Sequence, residues 1–194
     1  MKLTSAFAVA VLFGIAPAQA ATAMVGDTPT VWCAKAAMAE RPDARISDAT
    51  RDAALAACNT ALADKILQQD RTATLVNRGI ILAAAGNATD ALDDYNAALA
   101  RDPSMANTYI NRGSALLRIG RYQEARADFD RALSLGTDQQ TIAYFCRGMA
   151  QEKLGALTAA YNDYKKAQSL SPDFKPANIE LARFRVNSRV AQNH

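Results

Sequence analysis

The chain is poor in the residues on which most enzyme chemistry depends. It holds one histidine, the terminal His194, and three cysteines. A lone terminal histidine cannot anchor a Ser-His-Asp or Cys-His set, no glycine-rich phosphate loop follows a strand pattern, and no cluster of metal ligands is present in the sequence. We therefore expect no catalytic residues, no cofactor and no metal site, and we predict that the chain is not an enzyme.

An excess of charge and long apolar runs are also missing. The formal net charge is +3, and no Arg/Lys-rich strip carries interleaved aromatic residues. This composition argues against nucleic acid as a partner. The apolar run at residues 3–15 is shorter than the roughly 20 residues that a membrane-spanning helix needs. No membrane span is expected in the mature form.

The first twenty residues, MKLTSAFAVAVLFGIAPAQA, have the three parts of a secretory signal peptide. Lys2 gives a basic start, an apolar core follows, and Ala18-Gln19-Ala20 supplies the small residues of a cleavage site. We predict a signal peptide over 1–20 cleaved after Ala20, with Ala23 as the alternative, and a linker over 21–30. The mature protein is then exported and periplasmic.

Export changes the interpretation of the cysteines, because disulfides persist in oxidising compartments. Cys33 and Cys58 lie in one early segment, whereas Cys146 stands alone. We predict a Cys33–Cys58 disulfide, which would close a loop of about 25 residues and contribute on the order of 3 kcal/mol. The alternative is that both are reduced and buried. Cys146 is predicted to be a small buried hydrophobe.

What the chain does contain is internal repetition. NRGIILAAAG (77–86), NRGSALLRIG (111–120) and CRGMAQEKLG (146–155) share an Arg-Gly opening and a closing glycine. Apolar spacing in each unit fits two amphipathic helices joined at the second glycine, and the one-residue difference between the two steps falls in GTDQQ (136–140). Small and aromatic residues recur at equal offsets: Ala91, Ala125 and Ala160; Tyr95, Phe129 and Tyr164; Ala98, Ala132 and Ala167.

This pattern resembles the tetratricopeptide repeat, W-x2-L-G-x2-Y followed by A-x3-F and P. Three units carry it, at 72–105, 106–139 and 141–174. The matching residues are Leu75, Gly79, Leu82, Ala91, Tyr95 and Pro103; Tyr109, Gly113, Leu116, Ala125 and Phe129; and Tyr144, Gly148, Ala160, Tyr164 and Pro172. The resemblance implies an all-α fold, a right-handed α-α superhelix (solenoid) of antiparallel helix pairs.

Both ends of the solenoid are expected to be atypical, since a terminal unit has no neighbour on one side. The stretch 31–70 is predicted to be a degenerate unit, because ALAACNTALAD (54–64) follows the pattern of ALDDYNAALAR (91–101). This N-terminal pattern is similar to that of exported repeat proteins that begin with a helical hairpin joined by a disulfide. Residues 175–190 are predicted to form a capping helix. Its outer side carries Arg183, Arg185 and Arg189, which are either solvated or a dock for an acidic partner.

Each unit departs from the family pattern at one position, where arginine precedes the glycine. An aspartate follows sixteen residues later in every case, which gives the pairs Arg78 and Asp94, Arg112 and Asp128, and Arg147 and Asp163. The arginine fork matches a carboxylate, so we predict structural ion pairs, either within a unit or between units. The alternative is that these arginines bind a ligand.

The resemblance also places the first helix of each unit on a concave face. The predicted partner-binding groove consists of Val76, Ile80, Asn107, Ile110, Ser114, Leu117, Phe145 and Met149. It is largely apolar and could bind an extended or helical peptide, unless neighbouring units or the N-terminal unit cover it.

Some family members hold a partner's terminal carboxylate with lysine, asparagine and arginine on these helices. Asn111 matches one such position, whereas Val76, Ile80, Ile142 and Cys146 occupy others and cannot act in this way. Recognition is therefore expected to be mainly apolar. The predicted function is a non-catalytic adaptor in the cell envelope that binds a polypeptide. The alternative is an accessory subunit of a larger envelope complex, docked through its ends, including the basic C-terminal helix.

Overall fold

The computed structural model describes residues 68–192 and the helical positions 52, 55, 56, 58, 59, 62 and 63. The predictions for the signal peptide, the linker and the first helix of the degenerate unit lie outside the described residues. From residue 68 onward the chain forms helices joined by short turns, with no strand in the described part. They are α1 (Gln68–Ala84), α2 (Ala88–Arg101), α3 (Ala106–Arg118), α4 (Tyr122–Ser134), α5 (Gln140–Lys153), α6 (Leu157–Leu170) and α7 (Lys175–Gln192).

The helices pack as a row of pairs. Helix α1 packs on α2, α3 on α4 and α5 on α6, and each pair also contacts the next through α2 with α3, α4 with α5 and α6 with α7. The first helices touch along the row, α1 with α3 and α3 with α5. We call α1, α3 and α5 the inner layer, and α2, α4 and α6 the outer layer. The predicted all-α solenoid is confirmed.

The turn inside each pair is built by a glycine with positive φ. Gly86, Gly120 and Gly155 have φ values of 95°, 79° and 79°. The residue after each glycine donates its N–H to a carbonyl of the preceding helix turn, as Arg121 does to Leu116 at 3.0 Å. This arrangement ends a helix in the left-handed region, where a residue without Cβ is favoured. The closing glycine of each repeated motif is therefore the point at which the chain reverses.

The core lies between the two layers and uses the small and aromatic residues of the repeat. Tyr95, Phe129 and Tyr164 of the outer layer are buried, together with the two alanines that flank each of them. Gly113 allows α3 to approach α4 closely, because a Cβ there would lie 3.0 Å from the ring of Phe129. Packing of this kind, repeated from α1 to α7, gives a continuous core along the solenoid.

Helix α7 covers the last pair. Ala177 and Leu181 are buried, and the ring of Phe184 lies 5.8 Å from that of Tyr161 and 6.0 Å from that of Tyr164. Arg183 donates to both carboxylate oxygens of Glu152 on α5 at 2.6 Å. The side chains beyond residue 184, which include Arg185 and Arg189, lie outside the described ones.

Candidate interaction surface

Most of the residues predicted to line an open groove are buried. Val76, Ile80, Ile110, Ser114 and Phe145 have between 0% and 8% of their surface exposed. Asn107 is exposed, and Leu117 and Met149 are partly buried. The expectation of an open apolar surface on these helices therefore does not match the structure.

The ring of Phe145 illustrates the physical reason for this burial. It lies 5.5 Å from the ring of Tyr164 and 5.3 Å from that of Phe174, so it packs within its own unit and against the turn before α7. Val76, Ile80 and Ile110 belong to the same continuous core, while Leu117 and Met149 pack at its edge. The buried apolar residues of the inner layer thus belong to the continuous core of the solenoid.

Asn107 and Ser114 were predicted as groove residues and Asn111 as a carboxylate-binding position, but the polar stripe that they form with Arg118 on α3 was not predicted. Asn107, Asn111, Ser114 and Arg118 follow one another at steps of four, three and four residues, which places them on one side of a helix. Arg118 donates to the carbonyl oxygen of Ala83 on α1. The spacing of four polar residues along one helix is the signal that could have identified this stripe.

Within the stripe, Asn111 is chemically distinct. Asn107 Oδ1 accepts a hydrogen bond of 2.7 Å from Thr137 Oγ1, and Ser114 Oγ donates to the carbonyl of Ile110 at 2.8 Å. Asn111 Oδ1 is buried and accepts no hydrogen bond in the described part of the chain. A buried acceptor without a donor costs roughly 1–3 kcal/mol, so this oxygen suits an incoming N–H group.

The arginine–aspartate pairs are present in all three units. Arg112 Nη2 lies 2.7 Å from Asp128 Oδ1, and the corresponding distances are 2.6 Å from Arg78 to Asp94 and 2.7 Å from Arg147 to Asp163. The side-chain hydrogen bond to aspartate is the main cause that raises the pKa of each arginine. These guanidinium groups are engaged inside the scaffold, which favours a structural role over ligand binding.

Each of these arginines also reaches the preceding unit. Arg78 Nη1 donates to Asn59 Oδ1 at 2.7 Å, Arg112 Nη1 to Asn96 Oδ1 at 2.8 Å, and Arg147 Nη1 to Asp130 Oδ1 at 2.7 Å. The sequence left open whether the ion pairs act within or between units. The geometry gives both, with the aspartate in the same unit and the second acceptor in the unit before it.

The cysteines differ from prediction. Cys58 is a free, buried thiol, so the predicted Cys33–Cys58 disulfide is not formed, and Cys33 itself lies outside the described residues. Burial is the main cause that raises the pKa of the Cys58 thiol. Cys146 is fully buried on α5, as expected, but it is disulfide-bonded. Pairing depends on which segments meet in space, and the sequence does not contain that information.

The described residues include no group of three or more His, Cys, Asp or Glu side chains placed to hold a metal ion. Within the same part of the chain, no helix has the length and apolar character needed to cross a bilayer.

Comparison with known proteins identifies the repeat. The family model for the tetratricopeptide repeat matches residues 50–106, 76–140 and 110–173. Rat DnaJ homolog subfamily C member 3 is 35% identical over 105 residues, which are 53% of this chain and 21% of that protein. The chain thus spans about a fifth of the length of this curated relative.

Solved structures share the fold. A crystal structure of MamA superposes with a TM-score of 0.63 at 25% identity, covering 70% of this chain and 77% of MamA. The second TPR domain of human RPAP3, solved in complex with the HSP70 peptide SGPTIEEVD, superposes with a TM-score of 0.57 at 28% identity. That match covers 61% of this chain and 98% of the RPAP3 domain. The repeat phase, the paired helices and the family match lead to one conclusion: this chain belongs to the tetratricopeptide repeat family.

Proposed function

We propose that this chain is a non-catalytic interaction module that binds a polypeptide segment along the inner layer, centred on α3. The observation that carries the proposal is the unpaired, buried Oδ1 of Asn111 in a stripe that also holds Asn107. An asparagine side chain offers both an acceptor and donors, so it can hydrogen-bond the backbone of a bound segment. Leu117 and Met149 at the edge of the core supply the apolar contacts.

The relatives support a polypeptide as the class of ligand. The human RPAP3 domain was solved with a peptide bound, and the structural match to it covers 61% of this chain. In this chain Ile142 and Cys146 occupy positions at which some family members carry lysine, asparagine or arginine for a terminal carboxylate. We therefore propose that the partner is recognised through an internal segment. The predicted signal peptide leads us to propose that binding takes place in the cell envelope.

The experiment compares the two layers of the solenoid. A photo-crosslinking amino acid is placed in cells at Asn107 on the inner layer or, as the matched control, at Asn162 on the outer layer; both positions are exposed. We expect polypeptide adducts from position 107 and none from 162. Equal adducts from both positions would contradict the proposal.

The captured segment is then synthesised and its affinity measured with oxidised and with reduced protein. Asn111→Ala should weaken binding about fivefold, since one hydrogen bond contributes about 1 kcal/mol and each 1.4 kcal/mol is a factor of ten. Asn162→Ala should leave the affinity unchanged. Unaltered affinity in Asn111→Ala in both redox states would place the binding surface elsewhere.

A second candidate, docking through the C-terminal cap, is favoured by one observation. Ile179 on α7 has 59% of its surface exposed, more than Ile119, Leu157 or Leu170. Arg183, by contrast, is already paired with Glu152 and Glu180. If the cap is the dock, Ile179→Asp should abolish association with the partner complex while Asn111→Ala leaves it intact.

A further inference from the structure

Helix α7 has the sequence register of a first helix, although no helix follows it in the part of the chain that the structure describes. It begins three residues after Pro172, as α3 begins three residues after Pro103, and it packs on α6. In this register Ala182 takes the position of a repeated glycine, and Ile179 takes that of an inner-layer apolar residue. The equivalent glycines are Gly79, Gly113 and Gly148, and the equivalent apolar residues are Val76, Ile110 and Phe145.

These two positions are buried in every complete unit and exposed on α7. The equivalents of Ile179 have 8% of their surface or less exposed, whereas Ile179 itself has 59%. The repeated glycines are buried against the aromatic ring of the second helix, so that a Cβ at Gly148 would lie 2.7 Å from Tyr164 Cε1, whereas Ala182 is exposed. We call Ile179 and Ala182 the α7 face. In the complete units a second helix packs at the equivalent positions.

The helices that pack there have a common contact surface. Each carries an alanine, an aromatic residue four positions later and a second alanine three positions after that, all with 1% of their surface or less exposed. The three sets are Ala91, Tyr95 and Ala98; Ala125, Phe129 and Ala132; and Ala160, Tyr164 and Ala167. A helix of this pattern, 13 or 14 residues long as in α2, α4 and α6, therefore fits the α7 face.

The charges at the joint between α6 and α7 differ from those at the joint before it. There, Arg147 donates to Asp130 of the preceding outer helix and to Asp163 of its own unit. At the last joint Lys165 takes the position of Asp130, and Leu181 takes that of Arg147. The positive charge therefore lies on the outer helix α6 and not on the first helix. An acidic residue placed like Asp163, beside the aromatic residue of a covering helix, finds its counter-charge on Lys165.

The surroundings of the α7 face are basic as well. Lys165 and Lys166 on α6 and Lys175 on α7 are exposed. The acidic residues of these two helices, Asp163 and Glu180, are already paired with arginines. Complementary charge favours a partner helix that carries carboxylates.

We propose that the α7 face binds an acidic amphipathic helix of a partner protein, which completes a fourth unit in the position of its second helix. The contact surface of that helix carries the alanine and aromatic pattern of α2, α4 and α6, and packs as amphipathic helices do in apolar grooves. A second copy of the chain fits less well, because its outer helices already bury their aromatic residues and α7 against α7 would bring like charges together. The inference rests on the second candidate function, docking through the cap, and is independent of binding at Asn111.

The first test measures binding of a synthetic helix to the full chain by fluorescence anisotropy. The probe is the peptide of residues 88–101, which has the alanine and aromatic pattern and three aspartates, with a staple between the exposed positions 96 and 100. Ile179→Asp should weaken binding about tenfold, because it places a charge in an apolar contact. Ile119→Asp is the matched control, since Ile119 is also exposed, at 41%, and should bind as the unaltered chain does.

Absence of binding to the unaltered chain, or equal affinity for both variants, would overturn the inference. Circular dichroism checks that each variant retains its helices.

The second test exchanges charges between peptide and protein. Asp94→Lys in the peptide, or Lys165→Glu in the chain, should each weaken binding about fivefold, because an attractive pair becomes a repulsive one. The two changes together should restore the affinity, which a merely structural role of Lys165 does not explain. Arg126→Glu reverses an exposed charge on α4 and is the control without effect. No recovery in the exchanged pair would overturn the placement of the helix beside α6.

The remaining outcomes separate this inference from its alternatives. A dimer of the unaltered chain in sedimentation that Ile179→Asp dissociates would assign the α7 face to a second copy and overturn the inference. Asn111→Ala should leave binding of the peptide unchanged, and a loss there would place the peptide on the inner layer. If position 107 captures no polypeptide while the peptide binds α7, the inner-layer function is wrong and the inference stands. The opposite pair of results refutes the inference alone.

Discussion

Arg112 holds Asp128 by two parallel hydrogen bonds, from Nε to Oδ2 at 2.8 Å and from Nη2 to Oδ1 at 2.7 Å. The aspartate side chain is 8% exposed, so water reaches little of it. The arginine fork satisfies both carboxylate oxygens at once, which few other side chains can do. The charge of Asp128 is tolerated at the joint between α3 and α4 because of this partner.

Arg112→Ala should therefore destabilise the protein more than its partly exposed position indicates. We expect a loss of roughly 3 kcal/mol in the free energy of unfolding, because the substitution leaves a buried carboxylate unpaired. Urea denaturation measures it. Arg121→Ala removes a pair whose two side chains are about half exposed, so the loss should be much smaller than for Arg112→Ala, because exposed ion pairs contribute little to stability. The double variant Arg112→Met/Asp128→Leu should recover most of the loss, and equal losses in the Arg112 and Arg121 variants would contradict the argument.

Alanine substitutions at Gly148 and Gly136 should destabilise the protein for different physical reasons. A Cβ at Gly148 would lie 2.7 Å from Tyr164 Cε1 and 3.2 Å from the backbone oxygen of Ala160. Gly148→Ala should cost about 1–3 kcal/mol through overpacking, even though alanine favours the helix. Gly136 has φ +74°, and a Cβ added there would meet no atom within 4 Å, so Gly136→Ala should cost only the left-handed strain of about 1 kcal/mol. A Gly148→Ala protein that melts at or above the temperature of the unaltered protein would refute close packing there.

Alkaline pH should destabilise the fold through Tyr95. Burial, followed by the charge of Asp94, raises the pKa of the Tyr95 hydroxyl above its ordinary value of 10.0. The folded state thus keeps a proton that the unfolded state releases. The stabilisation is complete below about pH 10 and is lost as the pH rises further, by up to about 1.4 kcal/mol per pH unit. Urea denaturation at increasing pH should show a shallower decline for Tyr95→Phe, and parallel declines would contradict the assignment.

The cap should be held by its ring contacts more than by its ion pair. Phe184→Ala removes contacts with Tyr161 and Tyr164 and should cost about 3 kcal/mol. Arg183 is 43% exposed, so Arg183→Ala should cost no more than about 1 kcal/mol, and less at high salt. Hydrogen exchange of the α7 amides measures both effects. Faster exchange in Arg183→Ala than in Phe184→Ala would reverse the ranking.

Repetition made much of the scaffold predictable. The positions of Gly113, Phe129 and Ala132 are filled by similar residues in every unit, because the two helices of each unit pack in the same way. Periodicity alone therefore locates the core. The burial of Ile110 was not predictable in this way. Spacing places a residue on a helix face, but whether that face is open depends on what packs against it. The disulfide bond of Cys146 was missed for a related reason, since pairing depends on which segments meet in space.

The acceptors on the preceding unit give the solenoid a particular kind of cooperativity. Arg112 Nη1 binds Asn96, and Arg147 Nη1 binds Asp130. Each of these arginines therefore bonds to the preceding unit as well as to the aspartate of its own unit. Stability in a linear array is a sum of intrinsic and nearest-neighbour terms, and here a single arginine contributes to both. Loss of one unit therefore also removes a fastening from the unit before it, which couples neighbouring units so that unfolding spreads along the array.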